Sequence, residues 1–405
     1  MGYIVRRMIA LLGVSLAWLC AANAQTPNVI KIGYAISKTG PLGGGAAITL
    51  LPNYELWVEE VNAAGGIKLG DKRVPIEVIF YDDRSNSEDA IRAVERLINQ
   101  DKVDFILAPF GTALNLAVGP VLARAGYPHL GTSAITDRAP DLAKRWPTSF
   151  WMTGTSALYA RGIVELLTNL RSDGKIGKRV AMAAIADAFG IDLSTAARDA
   201  LKQQAFDLVY DKTYPLGTQD VTPIIAEIKG LNPDVFVGFS YPADTMQITE
   251  QARLSGFNPK IFYSGVGTAF PLYKQRFGAD TEGVMSFGGW PADDPRIKAY
   301  MERLKAKKGK EPDGATGGLM TPVALQMLEQ AIERVGRIDR AAVVKELQTG
   351  SFDTIVGTIR LENNMPPHLW VVGQWQGGIF HAVGPAGRAG ARPVIFPKPN
   401  WQPRG

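Results

Sequence analysis

Short apolar runs alternate with amphipathic helical patterns along most of this chain, and this alternation constrains its fold more than any other feature. The first two strand-like runs lie at 29–33 and 76–81, and the helical pattern 51–61 lies between them. A third run, 105–108, is apolar at every position, which is typical of a strand buried on both faces of a sheet. The alternation predicts an α/β fold with a parallel, doubly wound sheet.

The same plan restarts in the second half of the chain. Strand-like and helical runs alternate again there, at 179–185, 194–204, 235–239, 244–254 and 261–263. Near the end, 369–375 and 379–383 predict a β-hairpin that turns at Gly377 and Gly378. We therefore expect two lobes built on one βα plan.

Two local signals refine the helices. Pro52 stands inside the helical pattern 51–61, where it lacks a hydrogen-bond donor, so we expect either a kink or a helix that begins late. Ser85 and Glu88 have the spacing of a capping box and predict the start of the next helix.

Composition excludes several classes of protein. The chain has 405 residues, of which 46% are hydrophobic and 20% charged, unlike a disordered chain or a coiled coil. Its net charge of +5 is spread along the whole length, so no nucleic-acid partner is expected. One Cys and three His leave almost no room for a Cys/His metal site, and we expect neither a metal nor a cofactor.

The first 24 residues have the pattern of a secretory signal peptide. Arg6 and Arg7 precede an apolar run at 8–20, and an Ala-Asn-Ala cleavage motif follows at 22–24. The alternative is a membrane anchor, but the apolar run has 13 residues and a bilayer span needs about 20. We therefore predict that 1–24 is removed and that the protein is exported.

Motifs for catalysis are missing from the sequence. Segment 238–242 comes closest to the Gly-x-Ser-x-Gly motif of a serine hydrolase but lacks the second Gly. His129, His368 and His381 are far apart and have no acidic or hydroxyl partner at motif spacing. An exported enzyme is therefore disfavoured.

Three loops rich in Gly, Ser and Thr follow strands of the first lobe, at 40–45, 110–113 and 131–136. The first loop fits neither the dinucleotide-binding nor the P-loop spacing. Ligands of open α/β sheets bind beyond the carboxyl ends of the strands, and free N–H groups at helix N-termini favour anions. The three loops predict one small-ligand site, and the alternative is that these residues are only turn formers and caps.

Three segments give the chain a family resemblance. Segments 59–67, 76–83 and 97–103 resemble the leucine/isoleucine/valine-binding type of periplasmic solute-binding protein, which serves ABC transporters. The likeness runs from about 29 to 383. It implies two doubly wound lobes joined by three crossovers, which close on a small ligand as a hinged trap. It also implies membrane permease and ATPase subunits as partners.

The resemblance implies domain boundaries as well. Lobe one would comprise 28–149 plus 288–355, and lobe two 150–287 plus 356–385. A tail rich in Gly, Pro and Arg, 386–405, would follow.

By position, the resemblance also implies a ligand site. Thr112 matches the hydroxyl that holds a ligand carboxylate, Ser133 a residue whose backbone contacts the ligand, and Tyr241 an aromatic that packs on it. Phe189 stands where amino-acid binders have a Tyr. The complete predicted set is Leu42, Gly43, Phe110, Gly111, Thr112, Ser133, Ala134, Ile135, Thr136, Tyr159, Phe189, Tyr241, Tyr263 and Gly265.

Three departures from the family pattern bear on the ligand. Gly265 stands where amino-acid binders have the acidic partner of the ammonium group, and no Asp or Glu occurs from 260 to 276. Ile135 replaces a hydroxyl, unless Thr136 shifts into its place. Gly45 replaces an aromatic residue, which would widen the cleft.

A buried ammonium group without a charged partner is costly. We therefore expect a small organic acid without an α-amino group, with aromatic acids among the candidates. Two alternatives stay open: a branched-chain amino-acid binder, and a two-lobed sensor that passes its signal to a separate receptor.

Overall fold

The computed structural model describes residues 27–309 and 313–402. The predicted signal peptide lies outside the described residues. In the described ranges, no helix combines the length and the apolar character that crossing a bilayer requires.

The first part of the chain builds the sheet of lobe one. Its elements are β1 (Ile30–Ile36), α1 (Gly43–Thr49), α2 (Leu51–Ala63), β2 (Ile67–Leu69), β3 (Lys72–Val74), β4 (Ile76–Asp82), α3 (Ser87–Asn99), β5 (Phe105–Leu107), α4 (Thr112–Arg124), β6 (His129–Gly131), α5 (Ala139–Arg145) and β7 (Ser149–Trp151). Strands β4, β1 and β5 pair in that order and are parallel, and β6 pairs in parallel with β7.

The second part builds most of lobe two. Its elements are α6 (Ser156–Ser172), β8 (Arg179–Ile185), α7 (Ala188–Gln203), β9 (Asp207–Tyr214), α8 (Thr222–Gly230), β10 (Val235–Phe239), α9 (Pro242–Ser255), β11 (Ile261–Tyr263), α10 (Pro271–Phe277), a 3₁₀ turn (Gly278–Thr281) and β12 (Met285–Phe287). Every residue of β10 is buried, because helices cover both faces of this sheet.

The last part of the chain serves both lobes. Its elements are α11 (Pro295–Lys308), α12 (Thr316–Val335), α13 (Arg340–Thr349), β13 (Phe352–Thr354), β14 (Gly357–Ile359), β15 (Val372–Gln376) and β16 (Ile379–Gly384). Helices α11 and α12 pack on α2 and so belong to lobe one. Strands β15 and β16 form the predicted hairpin and extend the sheet of lobe two, whose order is β16-β15-β12-β11-β10-β8-β9.

The chain passes between the lobes three times: between β7 and α6, between β12 and α11, and between β14 and β15. The predicted α/β fold of two doubly wound lobes with three crossovers is confirmed. The carboxyl ends of the parallel strands in both lobes face the space between them, and this space contains the candidate site.

The segment after β16 has neither helix nor strand in its described residues, and it lies along lobe two. The Lys398 N–H donates to the Lys260 carbonyl at 3.0 Å, and the Trp401 indole N–H donates to the Phe257 carbonyl at 2.7 Å. The Trp401 ring also meets Phe262 of β11 edge-on, with 5.5 Å between centroids. This segment is therefore part of the packing of lobe two.

Candidate functional site

A narrow cavity lies between the lobes, beyond the carboxyl ends of their strands. About 50 Å³ of it is open to the centre of a water-sized sphere. A single water needs about 10–15 Å³ by that measure, so the lobes lie close together around the cavity. Its lining consists of Thr49, Phe110, Ser133, Ile135, Thr153, Phe189, Tyr241, Val266, Phe287, Asp313, Ala315 and Gly317.

Aromatic rings from both lobes form its walls. Phe110 comes from the loop between β5 and α4 of lobe one, and Phe189, Tyr241 and Phe287 come from lobe two. The Phe189 and Tyr241 rings stack at 5.1 Å between centroids, and the Phe110 ring lies 6.4 Å from Tyr241 across the cleft. These walls favour a flat apolar group between the lobes.

A second layer of aromatic residues holds Phe287 in place. The rings of Tyr159, Phe239 and Tyr263 lie 5.8, 6.1 and 5.5 Å from that of Phe287. Tyr159 and Tyr263 are fully buried and are not among the described residues that line the cavity. These two predicted site residues thus lie behind the wall.

The Ser133 side chain lines the cavity and joins two loops of lobe one. The Ser133 hydroxyl accepts from the Gly111 N–H at 3.1 Å and donates to the Pro109 carbonyl at 3.2 Å. Gly111 precedes α4 with φ of 95°, a conformation open to glycine, and no side chain caps this helix. No N-cap side chain therefore occupies the first N–H groups of α4, and such groups at the start of a helix favour an anion.

Two predicted hydroxyl residues are used inside the protein. The Thr112 hydroxyl accepts from the Ile135 N–H at 3.1 Å and donates to the Ile135 carbonyl at 3.3 Å, which joins two of the loops. The Thr136 hydroxyl donates to the carboxylate of Asp192 on α7. Both threonines are fully buried.

Five predicted residues meet at the cavity wall: Phe110, Ser133, Ile135, Phe189 and Tyr241. The other predicted residues lie outside the described lining: Leu42, Gly43, Gly111, Thr112, Ala134, Thr136, Tyr159, Tyr263 and Gly265.

The loop after β11 presents a valine to the cavity. A Cβ atom at Gly265 would lie 2.3 Å from the Ser240 carbonyl oxygen and 2.4 Å from its nitrogen, so no side chain fits there. The neighbouring Val266 lines the cavity instead. This loop therefore contributes an apolar surface to the cavity.

The expected widening at Gly45 is wrong. A Cβ atom at Gly45 would lie 2.3 Å from Cζ of Phe110, because the ring of Phe110 occupies that space. The glycine makes room for an aromatic residue from another loop and does not enlarge the cleft.

Asp313, which is not among the predicted site residues, lines the cavity and is 2% exposed. Its Oδ2 accepts from the Thr49 hydroxyl at 3.0 Å, and its Oδ1 accepts from the Ala315 N–H at 2.8 Å. Burial raises the pKa of this carboxyl to about 6. An Asp shortly before a long helix is an N-terminal helix signal, and that signal could have drawn attention to it.

A second carboxylate fixes the ring of Tyr241. The Tyr241 hydroxyl donates to Asp187 Oδ2 at 3.0 Å, and Asp187 caps α7 by accepting from the Gly190 N–H at 3.0 Å. Burial raises the pKa of both Asp187 and Tyr241. The bond holds the ring against Phe189.

Polar contacts also join the lobes beside the cavity. Besides the bond from Thr136, the Arg138 Nε lies 3.9 Å from Asp192 Oδ2. The N–H of Ala157, at the start of α6, donates to Asp137 Oδ1 at 2.7 Å. We call the set Thr136, Asp137, Arg138, Ala157 and Asp192 the interlobe latch.

Comparisons with known proteins agree with this architecture. A profile of the periplasmic binding protein family matches residues 29–379. A Leu/Ile/Val-binding protein homologue of Brucella suis is 26% identical over 400 residues, which cover 93% of this chain and 96% of the relative.

Solved structures share the fold. A leucine-binding protein from Thermotoga maritima superposes with a TM-score of 0.72 at 21% identity, over 87% of this chain and 97% of the other. An ABC-transporter solute-binding protein from R. palustris in complex with benzoate gives a TM-score of 0.77 at 17% identity, over 88% and 96%. The chain therefore belongs to the periplasmic binding protein family.

Proposed function

We propose that this protein captures a small aromatic carboxylate in the periplasm and delivers it to the permease and ATPase subunits of an ABC uptake transporter. The observation that carries the proposal is the aromatic wall formed by Phe110, Phe189, Tyr241 and Phe287. An aromatic ring between these side chains gains both burial and ring–ring contacts.

The carboxylate of the ligand would lie against the loops of lobe one. The uncapped N-terminus of α4 supplies N–H donors there, and the helix dipole adds a favourable field for an anion. The apolar Val266 in the loop after β11 supports a ligand without an ammonium group, since a buried ammonium needs a charged partner.

Ligand binding and lobe closure would be thermodynamically coupled. A ligand that contacts Ser133 in lobe one and Phe189 in lobe two binds the closed arrangement better than an open one, and so shifts the population towards it. Since the lining leaves room for only a few water molecules, we expect the ligand to enter when the lobes separate and to set the final closed distance.

A branched-chain amino acid is the second candidate. The observation that favours it is Asp313, the one carboxylate among the described residues that line the cavity. Relatives named as Leu/Ile/Val-binding homologues point the same way, whereas the R. palustris neighbour in complex with benzoate supports the aromatic acid.

Melting shifts on the chain from Gln25 onward, freed of carried ligand by unfolding and refolding, separate the two. Leucine, isoleucine, valine and phenylalanine would be compared with benzoates, phenylpropenoates and aliphatic carboxylates. A ligand at a hundred times its Kd adds about 2.7 kcal/mol to the free energy of unfolding. We expect shifts with the aromatic carboxylates, and shifts with leucine and its kin alone would contradict the proposal.

The matched pair Phe189→Ala and Phe206→Ala tests the wall itself. Phe206 is also a buried phenylalanine of lobe two, but it lies outside the cavity lining. We expect Phe189→Ala to weaken aromatic-acid binding by tenfold or more, from the lost burial and ring contact. Phe206→Ala should lower stability and leave the Kd of the folded protein within about twofold.

A further inference from the structure

Asp313 is a buried carboxylate that faces a ligand cavity without a charged partner. In the part of the chain that the structure describes, no cation contributes to its electrostatic environment. A carboxylate in such a place is costly unless donors satisfy it. A ligand donor would therefore gain the most binding free energy by forming a hydrogen bond with Asp313 on its cavity side.

Donors from the protein already hold this carboxylate in a fixed orientation. They are the Thr49 hydroxyl, the Ala315 N–H and the Gly318 N–H. An ionised carboxylate has about four acceptor sites. The described donors thus leave capacity for about one further hydrogen bond.

We propose that Asp313 determines specificity by accepting a hydrogen bond from a hydroxyl group on the ligand, so that the preferred ligand is a hydroxylated aromatic acid. This inference rests on the proposed function and narrows its ligand class.

The one remaining acceptor position of Asp313 suits a ligand hydroxyl group better than a ligand ammonium group. A hydroxyl has one proton to donate, whereas an ammonium has three and a full charge that must be desolvated. The hydroxyl protons of the lining are already given to protein acceptors: Ser133 to Pro109, Thr153 to Ala134, Thr49 to Asp313 and Tyr241 to Asp187. The rest of the lining is aromatic or aliphatic, which suits a neutral donor on a ring.

Calorimetric titration with a series of matched ligands tests the proposal on the wild-type protein. Benzoate would be compared with 3- and 4-hydroxybenzoate and with 3- and 4-methoxybenzoate, which keep the oxygen and lose the donor. We expect one hydroxybenzoate to bind about tenfold more tightly than both benzoate and its own methoxy analogue, as for a hydrogen bond to a charged group.

The variant Asp313→Asn should reduce this preference to about threefold, because the acceptor becomes neutral. Asp339→Asn is the matched control: Asp339 also caps a helix of lobe one, accepting from the Ala342 N–H, but lies at the start of α13 outside the cavity lining. Its preference should equal that of the wild type. Asp313→Ser, which keeps a capping oxygen but shortens the side chain, provides a second variant if the Asn form folds poorly.

Two outcomes would overturn the inference and leave the proposed function standing. One is equal binding of benzoate, the hydroxybenzoates and the methoxybenzoates by the wild type. The other is an undiminished hydroxyl preference in folded Asp313→Asn. Binding of leucine with no binding of any aromatic carboxylate would instead contradict the proposed function itself, and would assign Asp313 to an ammonium group.

Discussion

At the scale of the residue, the site depends on side chains whose neighbours are far away in the sequence. Asp313 and Thr49 are 264 residues apart in the chain, yet the Thr49 hydroxyl donates a hydrogen bond of 3.0 Å to Asp313 in the cavity wall. Burial raises the pKa of Asp313 from its ordinary value of 3.8 to about 6. Because the pKa of Asp313 is higher in the folded protein than in the unfolded chain, the free energy of unfolding depends on pH.

The sign of this dependence follows from the raised pKa. Between pH 4 and 6 the folded protein binds the proton of Asp313 more strongly than the unfolded chain does. The contribution of this proton to the free energy of unfolding is therefore fully present below pH 4 and is lost as the pH rises through 6. We expect Asp313→Asn to gain about 3 kcal/mol in unfolding free energy relative to wild type on going from pH 3.5 to pH 7.5.

Urea unfolding of the ligand-free protein at both pH values measures this difference. Asp339→Asn serves as the control, because the pKa of Asp339 is lowered, first by its hydrogen bond from the Ala342 N–H, and its dependence has the opposite sign. A constant stability difference between wild type and Asp313→Asn across the range would contradict the raised pKa.

At the scale of the element, loop geometry explains which sequence predictions succeeded. Pro52 was expected to kink a helix or delay its start, and the structure ends α1 at Thr49 and begins α2 at Leu51, with the proline in the first turn. The next helix starts one residue from its predicted cap: Asn86, and not Ser85, accepts from the N–H groups of Glu88 and Asp89. Local spacing decides such features, so the sequence alone reveals them.

The site was harder to predict, because it depends on contacts between distant loops. Thr112 has the right residue type at a strand end, but the Ile135 backbone already engages its hydroxyl. Asp313 reaches the cavity only through the packing of α12 on α1 and α2. Neither fact follows from residue type or spacing.

The loop after β11 gives a prediction at this scale. Gly265→Ala should destabilise the protein by about 1–3 kcal/mol and shift Val266, because the new methyl group would meet the Ser240 backbone. Gly230→Ala at the end of α8 is the control, since no atom lies within 4 Å of the position of its Cβ, and alanine there should be neutral or stabilising. Thermal melts of both variants decide the point, and equal melting temperatures would refute it.

At the scale of the whole molecule, the interlobe latch links closure to affinity. Asp192→Ala removes the acceptor of Thr136 and the partner of Arg138 without touching the cavity lining. We expect it to lower the closed population and to weaken ligand binding about threefold to tenfold, the range for one lost hydrogen bond.

Titration calorimetry and small-angle scattering test this together. The radius of gyration of the ligand-free variant should exceed that of the wild type, and saturating ligand should restore it. Asp199→Ala, on the exposed side of the same helix, should match the wild type in both measurements. Weaker binding with an unchanged radius of gyration would assign Asp192 to the ligand rather than to closure.

The seven-stranded sheet pairs strands that are synthesised at widely separated times. Strands β8 to β12 are made before the helices α11 to α13 of lobe one, and the hairpin that pairs with β12 is made after them. While helices α11 to α13 are being synthesised, β12 therefore lies at an unpaired edge of the sheet, because β15 has not yet been synthesised. Pairing across such a long separation in the chain is slow, so we expect the sheet of lobe two to be completed only after nearly the whole chain has been translated.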